Sequence, residues 1–385
     1  MKSVLIVTSV ASMIKQFNLD NIQLLQSLGY DVTVATNFNH PGTIPVEESY
    51  ALWQLLEKKG VSLLQIDFHR SPIHKSNYKS LQKLAEIINS KNFDLIHCQS
   101  PVGGAIARIA SRKSRAKGTK VVYTAHGFHF YKGAPLLNWM VYYPMEKLLA
   151  KITDVLITIN REDFERAQKL GAKKVCLVHG VGIRLEKFKN RTDSLSFRQE
   201  LGIPKGAKVL LSVGELNKNK NHELVIRAIA KLNEPSIHYI ICGEGKQHKA
   251  LQELTSMLGL NDQVHLLGYR EDTLNIYSNA DIFVFPSLRE GLSVALMESM
   301  ASGLPVIASN IRGNSDLVDE NMGGFLFDTN DVEELNKGIK ELISNTQLRI
   351  KFGAYNKDKI RDFSLETVLL ELERIYEKTK RSAED

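Results

Sequence analysis

Residues 282–309 read IFVFPSLREGLSVALMESMASGLPVIAS, and this stretch decides the fold. It contains an apolar run of strand type, a glycine turn, a helical pattern over about 294–301 and a second strand-like run, PVIAS. Ser293 is the predicted N-cap of that helix, because a serine hydroxyl can accept a hydrogen bond from an amide of the first turn. A strand, a helix and a strand in this order predict a parallel βαβ unit.

Val/Ile-rich runs alternate with amphipathic stretches along the rest of the chain. In the first half, strands are predicted at SVLIVTS, DVTVATN, SLLQIDF, FDLIHCQ, KVVYTAH, VLITIN and VCLVHG. In the second half, they are predicted at KVLLSVG, HYIICG, VHLLGY, IFVFPS and PVIAS. This alternation is typical of parallel sheets covered by helices on both faces. The predicted fold class is α/β, with two facing Rossmann-like doubly wound domains and an interdomain cleft.

The length of 385 residues also favours two domains, since one hydrophobic core rarely serves so long a chain. The strand pattern gives way to polar residues at about 179–194, so the predicted domains are 1–182 and 183–364. The remaining stretch, 365–385, has the pattern of one amphipathic helix with a charged end. Gly323-Gly324 is interpreted as a turn only.

The composition indicates an ordinary soluble protein, with 43% apolar and 24% charged residues. No apolar run reaches the roughly 18 residues that would span a bilayer. The short N-terminal apolar run is interpreted as a first buried strand rather than a signal peptide. The three cysteines, Cys98, Cys176 and Cys242, have no metal-ligand spacing. Buried thiols and a cytoplasmic location are therefore expected.

The net charge of +7 is unevenly distributed. Residues 1–180 contain 23 Lys/Arg and 13 Asp/Glu, whereas residues 181–385 contain 27 and 30. A basic first half is suited to an anionic membrane surface, here the inner face of the cell membrane, or to a phosphorylated substrate. A solvated basic face is the alternative, and no nucleic-acid-binding motif occurs. The basic residues include one cluster: Arg108, Arg112, Lys113, Arg115, Lys117 and Lys120.

The glycine turn within 282–309 contains the first candidate site residues. Glu298 lies about one turn into the predicted helix, where its carboxylate can accept two hydrogen bonds from a diol such as a ribose. Glu290 precedes the helix and can accept from a sugar hydroxyl or stabilise positive charge at a reacting carbon. The alternative is that both are surface glutamates. The helix start offers amides that can bind a phosphate, at Gly291, Leu292, Ser293 and Val294.

The loop after KVLLSVG is a second candidate region. Gly214 ends the predicted strand, and Lys218 and Lys220 flank the start of the next helix. A lysine at this place would put a positive charge on a diphosphate leaving group. The alternative is a solvated polar turn.

Three further loops carry weaker candidates. Gly243 and Gly245 form a lone GxG, a weak signal because it lacks the spacing of the dinucleotide fingerprint. The backbone at Tyr269 and Arg270 could pair with a base, or it is an ordinary loop. The stretch 313–314 precedes a short helix whose amides could form a second phosphate cradle.

In the first half, His126 follows a predicted strand and precedes a glycine, so it is expected to reach the cleft. A packed structural role is the alternative, and His129 is a weaker candidate. Aromatic residues are dense over 128–143, and three lysines accompany them. This mixture is suited to a bilayer interface or a lipid-linked acceptor, although a core helix is as good an interpretation. The three lysines are Lys132, Lys147 and Lys151.

Together these stretches resemble the nucleotide-sugar site of family 4 glycosyltransferases with the GT-B fold. The resemblance rests on EGLSVALME, MASGLPVIAS and IRGNSDLV, and extends through VGELNKNKNH, ICGEG, NADIFVFPS, TAHGFHFYKG and TDVLITIN. It covers nearly the whole chain. The frame of two glutamates separated by seven residues is specific for the family in this setting, whereas GEG is not. The first-half motifs are most similar to bacterial capsule and exopolysaccharide transferases.

The resemblance implies an acceptor-side first domain, a nucleotide-sugar-binding second domain and a C-terminal helix that packs back on the first. It also implies retaining transfer from a nucleotide-sugar, expected to be UDP-linked, without a required metal or other cofactor. Carried onto this chain, Glu298 would bind the ribose, Glu290 would contact the donor sugar and Lys220 would neutralise the diphosphate. His126 would face the reacting sugar, and the backbone near 269–270 would hold the base.

Two positions depart from the family pattern. Many members have an arginine after the glycine of the first loop of the second domain, where this chain has Glu215 after Gly214. A carboxylate cannot bind a phosphate, so Lys220, with help from Lys218 and the helix amides, would have to suffice. Many members also have a glycine pair after the first strand, where this chain reads TSVASMIKQF.

The sequence thus predicts a retaining glycosyltransferase acting on a lipid-linked or polysaccharide acceptor in capsule or exopolysaccharide synthesis. The capsule-type resemblance suggests an N-acetylhexosamine as the donor sugar. One open alternative is a sugar-nucleotide epimerase of similar fold. Another is a catalytically inactive sugar-nucleotide-binding protein, an alternative that the unusual Glu215 leaves open. An NAD-dependent dehydrogenase is disfavoured because SVLIVTS lacks the glycine fingerprint.

Overall fold

The computed structural model describes residues 2–189 and 195–381, and the chain forms two compact units. The first unit comprises the residues up to Val181 together with those from Val368 onward, and the second comprises Gly182–Thr367. Residues 190–194 of the predicted seam lie outside the described residues. So do the last four residues of the predicted helix over 365–385.

The first unit is built on a parallel sheet with the strand order β3-β2-β1-β4-β5-β6-β7. Its strands are β1 Lys2–Val7, β2 Tyr30–Thr36, β3 Ser62–Gln65, β4 Leu95–Gln99, β5 Lys120–Ala125, β6 Val155–Thr158 and β7 Lys174–Leu177. Its helices are α1 Ala11–Phe17, α2 Leu19–Ser27, α3 Val46–Lys58, α4 Ser76–Lys91, α5 Pro101–Ala110, α6 Arg112–Arg115, α7 Leu136–Ala150 and α8 Arg161–Ala167.

The core of this unit lies on both faces of its sheet, as the side-chain alternation of β1 shows. Leu5 and Val7 belong to one buried cluster, while Val4 and Ile6 belong to a second. Successive side chains of a strand point to opposite faces, so a continuous apolar run is buried on both sides only when helices cover both faces. The run SVLIV therefore forms a central strand.

The second unit has a parallel sheet with the order β10-β9-β8-β11-β12-β13. Its strands are β8 Lys208–Val213, β9 Ile237–Cys242, β10 Val264–Leu266, β11 Ile282–Phe285, β12 Val306–Ser309 and β13 Gly324–Phe327. Its helices are α9 Leu195–Glu200, α10 His222–Leu232, α11 His248–Met257, α12 Thr273–Ser278, α13 Val294–Ala301, α14 Asn314–Leu317, α15 Val332–Ser344 and α16 Thr346–Lys359. Short 3-10 helices cover Leu185–Phe188 and Ile360–Phe363.

The predicted α/β class with two doubly wound parallel sheets is confirmed. The helix predicted over about 294–301 is α13, and the Ser293 side chain accepts from the Leu296 amide, as an N-cap should. The interpretation of Gly323-Gly324 as a turn only is wrong, because Gly324 begins β13. A Cβ at Gly324 would lie 2.1 Å from the Val306 carbonyl oxygen, so glycine permits the close pairing of β13 with β12.

The last helix, α17 (Leu365–Arg381), packs from Val368 onward on the sheet of the first unit. The Tyr376 hydroxyl donates to Asn21 Oδ1 at 2.7 Å and lies 2.8 Å from His97 Nδ1, so its polar tip has partners although the ring is buried. None of the described helices is both long enough and apolar enough to cross a bilayer.

The predicted surface cluster of cations needs a correction at Arg108. This side chain is fully buried and makes two hydrogen bonds to the carboxylate of Glu146, at 2.8 and 3.1 Å. Arg115 is also paired, since it makes two hydrogen bonds of 3.1 Å to the Asp154 carboxylate. Buried arginines need such bidentate partners to offset their desolvation.

Candidate active site

The strand order of the second unit reverses between β8 and β11, and ligands of open α/β sheets bind beyond the carboxyl ends of strands at such a point. The loop after β8 carries Gly214 and Lys220, and the loop after β11 carries Glu290. A backbone hydrogen bond of 2.8 Å from the Leu288 amide to the Asn219 carbonyl joins the two loops. The sheet topology therefore brings these candidates to one edge.

Lys220 and Glu290 are in direct contact. The ammonium nitrogen lies 2.7 Å from Glu290 Oε1, and both side chains are mostly buried, with 17% and 14% exposed. The ammonium also lies 4.6 Å from the centroid of the Phe285 ring, a distance at which a cation is attracted to the ring face. A Cβ at Gly214 would lie 3.2 Å from Lys220 Cε, so the glycine leaves room for the lysine. Lys218 is exposed instead.

The turn that presents Glu290 is held by the loop after β12. Arg312 Nε donates to the Glu290 carbonyl oxygen at 3.1 Å. At Gly313, where φ is +80°, a Cβ would lie 2.3 Å from the Gly291 carbonyl oxygen. The Gly313 amide donates to the Asp316 carboxylate at 3.1 Å. The amide of Gly313 is therefore occupied by a carboxylate and is not available to the predicted second phosphate cradle, and the loop supports the Glu290 turn.

Glu298 lies inside α13 and is oriented by a tyrosine. The Tyr277 hydroxyl donates to Glu298 Oε2 at 3.1 Å and to the Ala295 carbonyl at 3.2 Å. Burial raises the pKa of the Glu298 carboxyl, while the bond from Tyr277 acts in the opposite direction. Tyr277 uses one carboxylate oxygen, and a carboxylate has acceptor capacity for further donors such as a ribose hydroxyl.

The start of α13 adds donors beside the Glu290 turn. Ser293 satisfies the Leu296 amide, whereas the preceding amides of the first turn have no intrahelical acceptor. Such amides, with the positive end of the helix dipole, can bind an anion. Gly291, Leu292 and Val294 flank Ser293 in this turn.

The two glycines of GEG have a packing role. A Cβ at Gly243 would lie 1.9 Å from the Gly214 carbonyl oxygen, and one at Gly245 would lie 2.4 Å from the Leu216 carbonyl oxygen. The loops after β8 and β9 therefore touch through their backbones, which no other residue would permit at these positions. This contact fixes the loop that carries Lys220.

The loop after β10 carries Tyr269 and Arg270. Tyr269 is exposed, and Arg270 makes two hydrogen bonds to the Asp272 carboxylate, at 2.7 and 2.6 Å. This pairing raises the pKa of Arg270 and lowers the pKa of Asp272. The arginine side chain is thus engaged locally, in keeping with an expected role for the backbone alone.

In the first unit, His126 follows β5, as predicted. Its Nε2 lies 2.9 Å from Gln99 Oε1, and Gln99 is bonded in turn to Asn18 at 2.6 Å. The Phe17 ring lies 5.6 Å from the imidazole centroid. Burial lowers the pKa of His126 to about 4, so the ring is neutral at physiological pH. A neutral, partly exposed imidazole can donate or accept one hydrogen bond to a ligand.

Comparison with known proteins gives the family. The family model described as Glycosyl transferase 4-like matches residues 4–160, and the model described as Glycosyl transferases group 1 matches residues 193–359. EpsD of Bacillus subtilis (strain 168) is named as a glycosyltransferase. It is 34% identical to this chain over 382 residues, and the alignment covers 97% of this chain and 96% of EpsD. The chain belongs to the family 4 glycosyltransferases.

A second relative of this glycosyltransferase comes from Escherichia coli and is named UDP-Gal:alpha-D-GlcNAc-diphosphoundecaprenol alpha-1,3-galactosyltransferase. It is 28% identical, with 92% of this chain and 94% of the relative covered. Among solved structures, Anabaena HepE in complex with UDP has a TM-score of 0.76 at 19% identity, with 98% of this chain and all of HepE covered. The glycosyltransferase therefore has the GT-B fold.

Three residues of the glycosyltransferase site were not predicted: Tyr277, Phe285 and Arg312. Tyr277 and Phe285 lie in segments whose apolar pattern indicates only core residues. Arg312 lies in the IRGN stretch, where the prediction concerned the backbone amides and not the arginine side chain. Each of the three acts by holding a predicted residue in place, and such support is invisible without the fold.

The glycosyltransferase also contains a cavity of about 560 Å³ within its first unit. One wall is the loop after β1, where many family members have a glycine pair. Here Ser9 Oγ lies 2.7 Å from Ser100 Oγ and accepts from the Gly103 amide at 2.8 Å, so serine hydroxyl bonds order this loop. The exposed Arg70 lines the same cavity, and most of the other lining side chains are apolar, including Val10, Met13, Ile106, Ile109 and Met145.

Among the described residues, no three His, Cys, Asp or Glu side chains are grouped so that they could bind a metal ion.

Proposed function

We propose that this glycosyltransferase moves a sugar from a UDP-sugar to a lipid-linked acceptor in exopolysaccharide or capsule synthesis. Transfer would retain the anomeric configuration and require no metal ion. The observation that supports this most directly is the contact between Lys220 and Glu290 at the β8–β11 switch point, with Glu298 inside the helix that follows.

The diphosphate of the donor would bind between Lys220 and the first amides of α13. As the sugar departs, negative charge grows on the diphosphate, and fixed positive groups that face it lower the barrier. Removal of one such group typically costs about 3–4 kcal/mol of transition-state stabilisation. A lysine and helix amides can supply this charge in place of a divalent cation.

Glu290 would change partners when the donor binds. Without a donor, its carboxylate neutralises Lys220 at 2.7 Å. With the diphosphate present, Lys220 would turn to the phosphate oxygens, and Glu290 would become free to accept from a hydroxyl of the donor sugar. Because Arg312 holds the Glu290 backbone, this exchange needs only side-chain movement.

Glu298 would bind the ribose, since the carboxylate is oriented by Tyr277 and has acceptor capacity left. UDP is the nucleotide in the HepE complex, and the Escherichia coli relative is named for UDP-Gal. These two names favour uridine as the base.

The apolar cavity of the first unit fits the lipid-proximal part of an acceptor. Its apolar lining would contact hydrocarbon, and Arg70 would pair with a phosphate. The name of the Escherichia coli relative includes a diphosphoundecaprenol acceptor, which combines these two chemical groups. A lipid-linked diphosphate acceptor is therefore the proposal, and a free polysaccharide is the competing acceptor.

The donor site is tested by measuring thermal shifts with UDP, GDP and ADP and their sugars, first with a chelator and then with Mg²⁺. We expect stabilisation by UDP and by one UDP-sugar in the presence of the chelator. Lys220→Met should abolish the shift, whereas Lys205→Met should preserve it, because Lys205 precedes β8 at the opposite end of the strand. A shift that requires Mg²⁺ would refute metal-independent binding.

The reaction is tested with that UDP-sugar and a synthetic GlcNAc-diphosphoprenol. We expect a prenyl-linked disaccharide whose new bond has the anomeric configuration of the donor, as assigned by NMR. An inverted linkage would refute retention. Conversion of the UDP-sugar to its epimer without acceptor would favour the epimerase, and nucleotide binding with no turnover would favour the inactive binding protein.

A further inference from the structure

Helix α7 packs one apolar face on the core and exposes a second apolar face to water. Its sequence, LLNWMVYYPMEKLLA, is mostly apolar, yet only Glu146, Leu149 and Ala150 are buried. Leu136 is 81% exposed, Met140 74%, and other large apolar side chains are also exposed. The only acidic residue of the helix is buried, and Trp139, Tyr142 and Tyr143 pack against the core, whereas a second set of apolar residues faces water. The exposed set is Leu136, Leu137, Met140, Val141 and Leu148.

The buried ion pair fixes this orientation. Glu146 accepts two hydrogen bonds from Arg108, whose guanidinium lies 3.8 Å above the Tyr123 ring. A rotation of α7 that buried Leu137 or Met140 would break this pair inside the protein and leave a buried charge without its partner. The apolar face therefore stays outward.

The exposed apolar residues lie on one side of α7. Leu137, Met140, Val141 and Leu148 are spaced by three, four, seven and eight residues, which places them in one stripe of a helix. We call these residues, with Leu136, the α7 stripe. Monomeric soluble proteins rarely expose a contiguous apolar surface of this kind unless it binds a partner.

The surrounding charge indicates the partner. Residues 101–151 contain nine Lys/Arg and one Asp/Glu. Arg108 is buried against that acid, Glu146, and Arg115 pairs with Asp154, which leaves seven other cations in this stretch. Lys147 and Lys151 extend from the last turns of α7, and Lys132 precedes the helix; all three are exposed. A second copy of this chain would bring like charges together, which disfavours self-association through this surface. An anionic lipid surface satisfies both the apolar stripe and the lysines.

We propose that the α7 stripe, with Lys132, Lys147 and Lys151, docks this glycosyltransferase on an anionic phospholipid bilayer. The stripe would enter the boundary between headgroups and acyl chains, and the lysine ammonium groups would remain at the phosphates. Tyr142 and Met145 of the same helix line the cavity of the first unit. The helix that meets the bilayer thus also borders the site proposed for a lipid-linked acceptor.

The inference rests on the proposed function only for the identity of the acceptor, because docking needs neither donor nor acceptor. It is tested by sedimentation of the full chain with vesicles of phosphatidylcholine, and with vesicles that also contain phosphatidylglycerol. We expect binding to the anionic vesicles that weakens as salt is added. Binding should fall roughly fivefold for each lysine changed to glutamine at Lys147 or Lys151.

The apolar contribution is tested with Leu137→Gln/Met140→Gln. Its matched control is Met257→Gln/Ile350→Gln, which removes two exposed apolar side chains from the second unit. We expect the α7 variant to lose at least about tenfold in vesicle affinity, and the control to bind like the wild type. Both variants should keep the UDP thermal shift, so a docking failure is distinguished from a failure of the donor site.

Three outcomes would overturn the proposal. One is an absence of binding to anionic vesicles at low salt, and another is equal loss of binding in the control variant. The third is a wild-type dimer that Leu137→Gln/Met140→Gln converts to a monomer without changing vesicle binding, because the stripe would then be an interface between copies.

Discussion

The ammonium of Lys220 and the carboxylate of Glu290 form an ion pair 2.7 Å apart, although seventy positions separate them in the sequence. The pair exists because β8 and β11 are neighbours in the sheet, and each residue follows one of these strands. Both side chains are mostly buried, and the ammonium lies over the Phe285 ring, so neither is a free surface charge. A diphosphate would have to compete with Glu290 for the lysine.

This competition predicts opposite effects of two substitutions on nucleotide binding. Lys220→Met should weaken UDP and lower kcat by about 10²–10³-fold, because the charge that faces the leaving group is lost. Glu290→Gln should leave UDP affinity unchanged or raise it, since Lys220 no longer has a competing carboxylate. Transfer should still be lost in Glu290→Gln. Calorimetric titration with UDP, combined with a transfer assay, measures both quantities.

Each change also leaves a charged partner unpaired. We therefore expect the free energy of unfolding to fall by about 1–3 kcal/mol in both variants, and the melting temperature to fall with it. The comparison is therefore made at a temperature where both remain folded. If Glu290→Gln weakened UDP as strongly as Lys220→Met, the ion pair would have to persist in the complex, and the proposed exchange of partners would be wrong.

The raised pKa of Glu298 predicts a pH-dependent affinity for the nucleotide. A carboxylate can accept from both ribose hydroxyls, whereas its protonated form loses part of that capacity. Burial raises the pKa of Glu298, so UDP affinity should fall as the pH decreases through that raised value. The Tyr277 hydroxyl bond opposes this shift. Tyr277→Phe should therefore move the loss of affinity to a higher pH.

UDP dissociation constants across a pH series, for the wild type and Tyr277→Phe, check this directly. Tyr123→Phe is a matched control, because Tyr123 is an equally buried tyrosine in the other unit. An unchanged pH profile in Tyr277→Phe would show that Glu298 does not bind the ribose as a carboxylate.

Much of the second unit was predictable because its signals are local. The helix over 294–301 was predicted from a continuous stretch of sequence, its Ser293 cap from a single turn, and both were confirmed. Lys220 and Glu290 were each identified from their place after a strand. Their direct contact was not predictable, because it depends on which strands are neighbours.

The errors have the same physical origin. Arg108 was counted as a surface cation because helix α5 alone does not show that Glu146 of another helix reaches it. The two glycines at the start of β13 suggested a turn, because the local pattern does not show the Val306 carbonyl of another strand, which leaves no room for a Cβ at Gly324. The hydrogen bond from Tyr277 to Glu298 likewise joins two helices, α12 and α13. In each case the role of the residue depends on a contact with a distant part of the chain, which the local sequence pattern does not show.

Gly243 is predicted to be a structural residue rather than a ligand of the nucleotide. Its φ is +149°, and a Cβ there would lie 1.9 Å from the Gly214 carbonyl oxygen, a clash with backbone. Gly243→Ala should therefore destabilise the fold by about 3 kcal/mol or more. Gly259→Ala is the matched control, because Gly259 has a φ of +69° with nothing within 4 Å of the added Cβ. That change should cost only about 1–2 kcal/mol.

Urea unfolding of both glycine variants measures the difference. Similar midpoints would show that the loops after β8 and β9 can separate without cost. In that case the glycine pair would again be a candidate for contact with the donor.

Buried histidine gives the first unit a stability that depends on pH. His97 lies between Tyr376, at 2.8 Å from its Nδ1, and Thr124, at 2.8 Å from its Nε2, and burial lowers its pKa to about 3. This folded-state value lies below the usual value of 6.5. As the pH falls below 6.5, the unfolded chain binds a proton that the folded chain does not, so stability decreases until the pH approaches 3.

The expected loss from His97 is about 2 kcal/mol between roughly pH 7.5 and pH 5, at about 1.4 kcal/mol per pH unit below 6.5. Both tryptophans, Trp53 and Trp139, belong to the first unit, so fluorescence-detected urea unfolding follows that unit. His97→Gln should lower stability at the higher pH, because its hydrogen bonds change, and should reduce the difference between the two pH values. His40→Gln, at an exposed histidine of the same unit, controls for loss of an imidazole. Burial also lowers the pKa of His126 to about 4, so part of the pH difference should survive in His97→Gln. A difference as large as that of the wild type would contradict the assignment to His97.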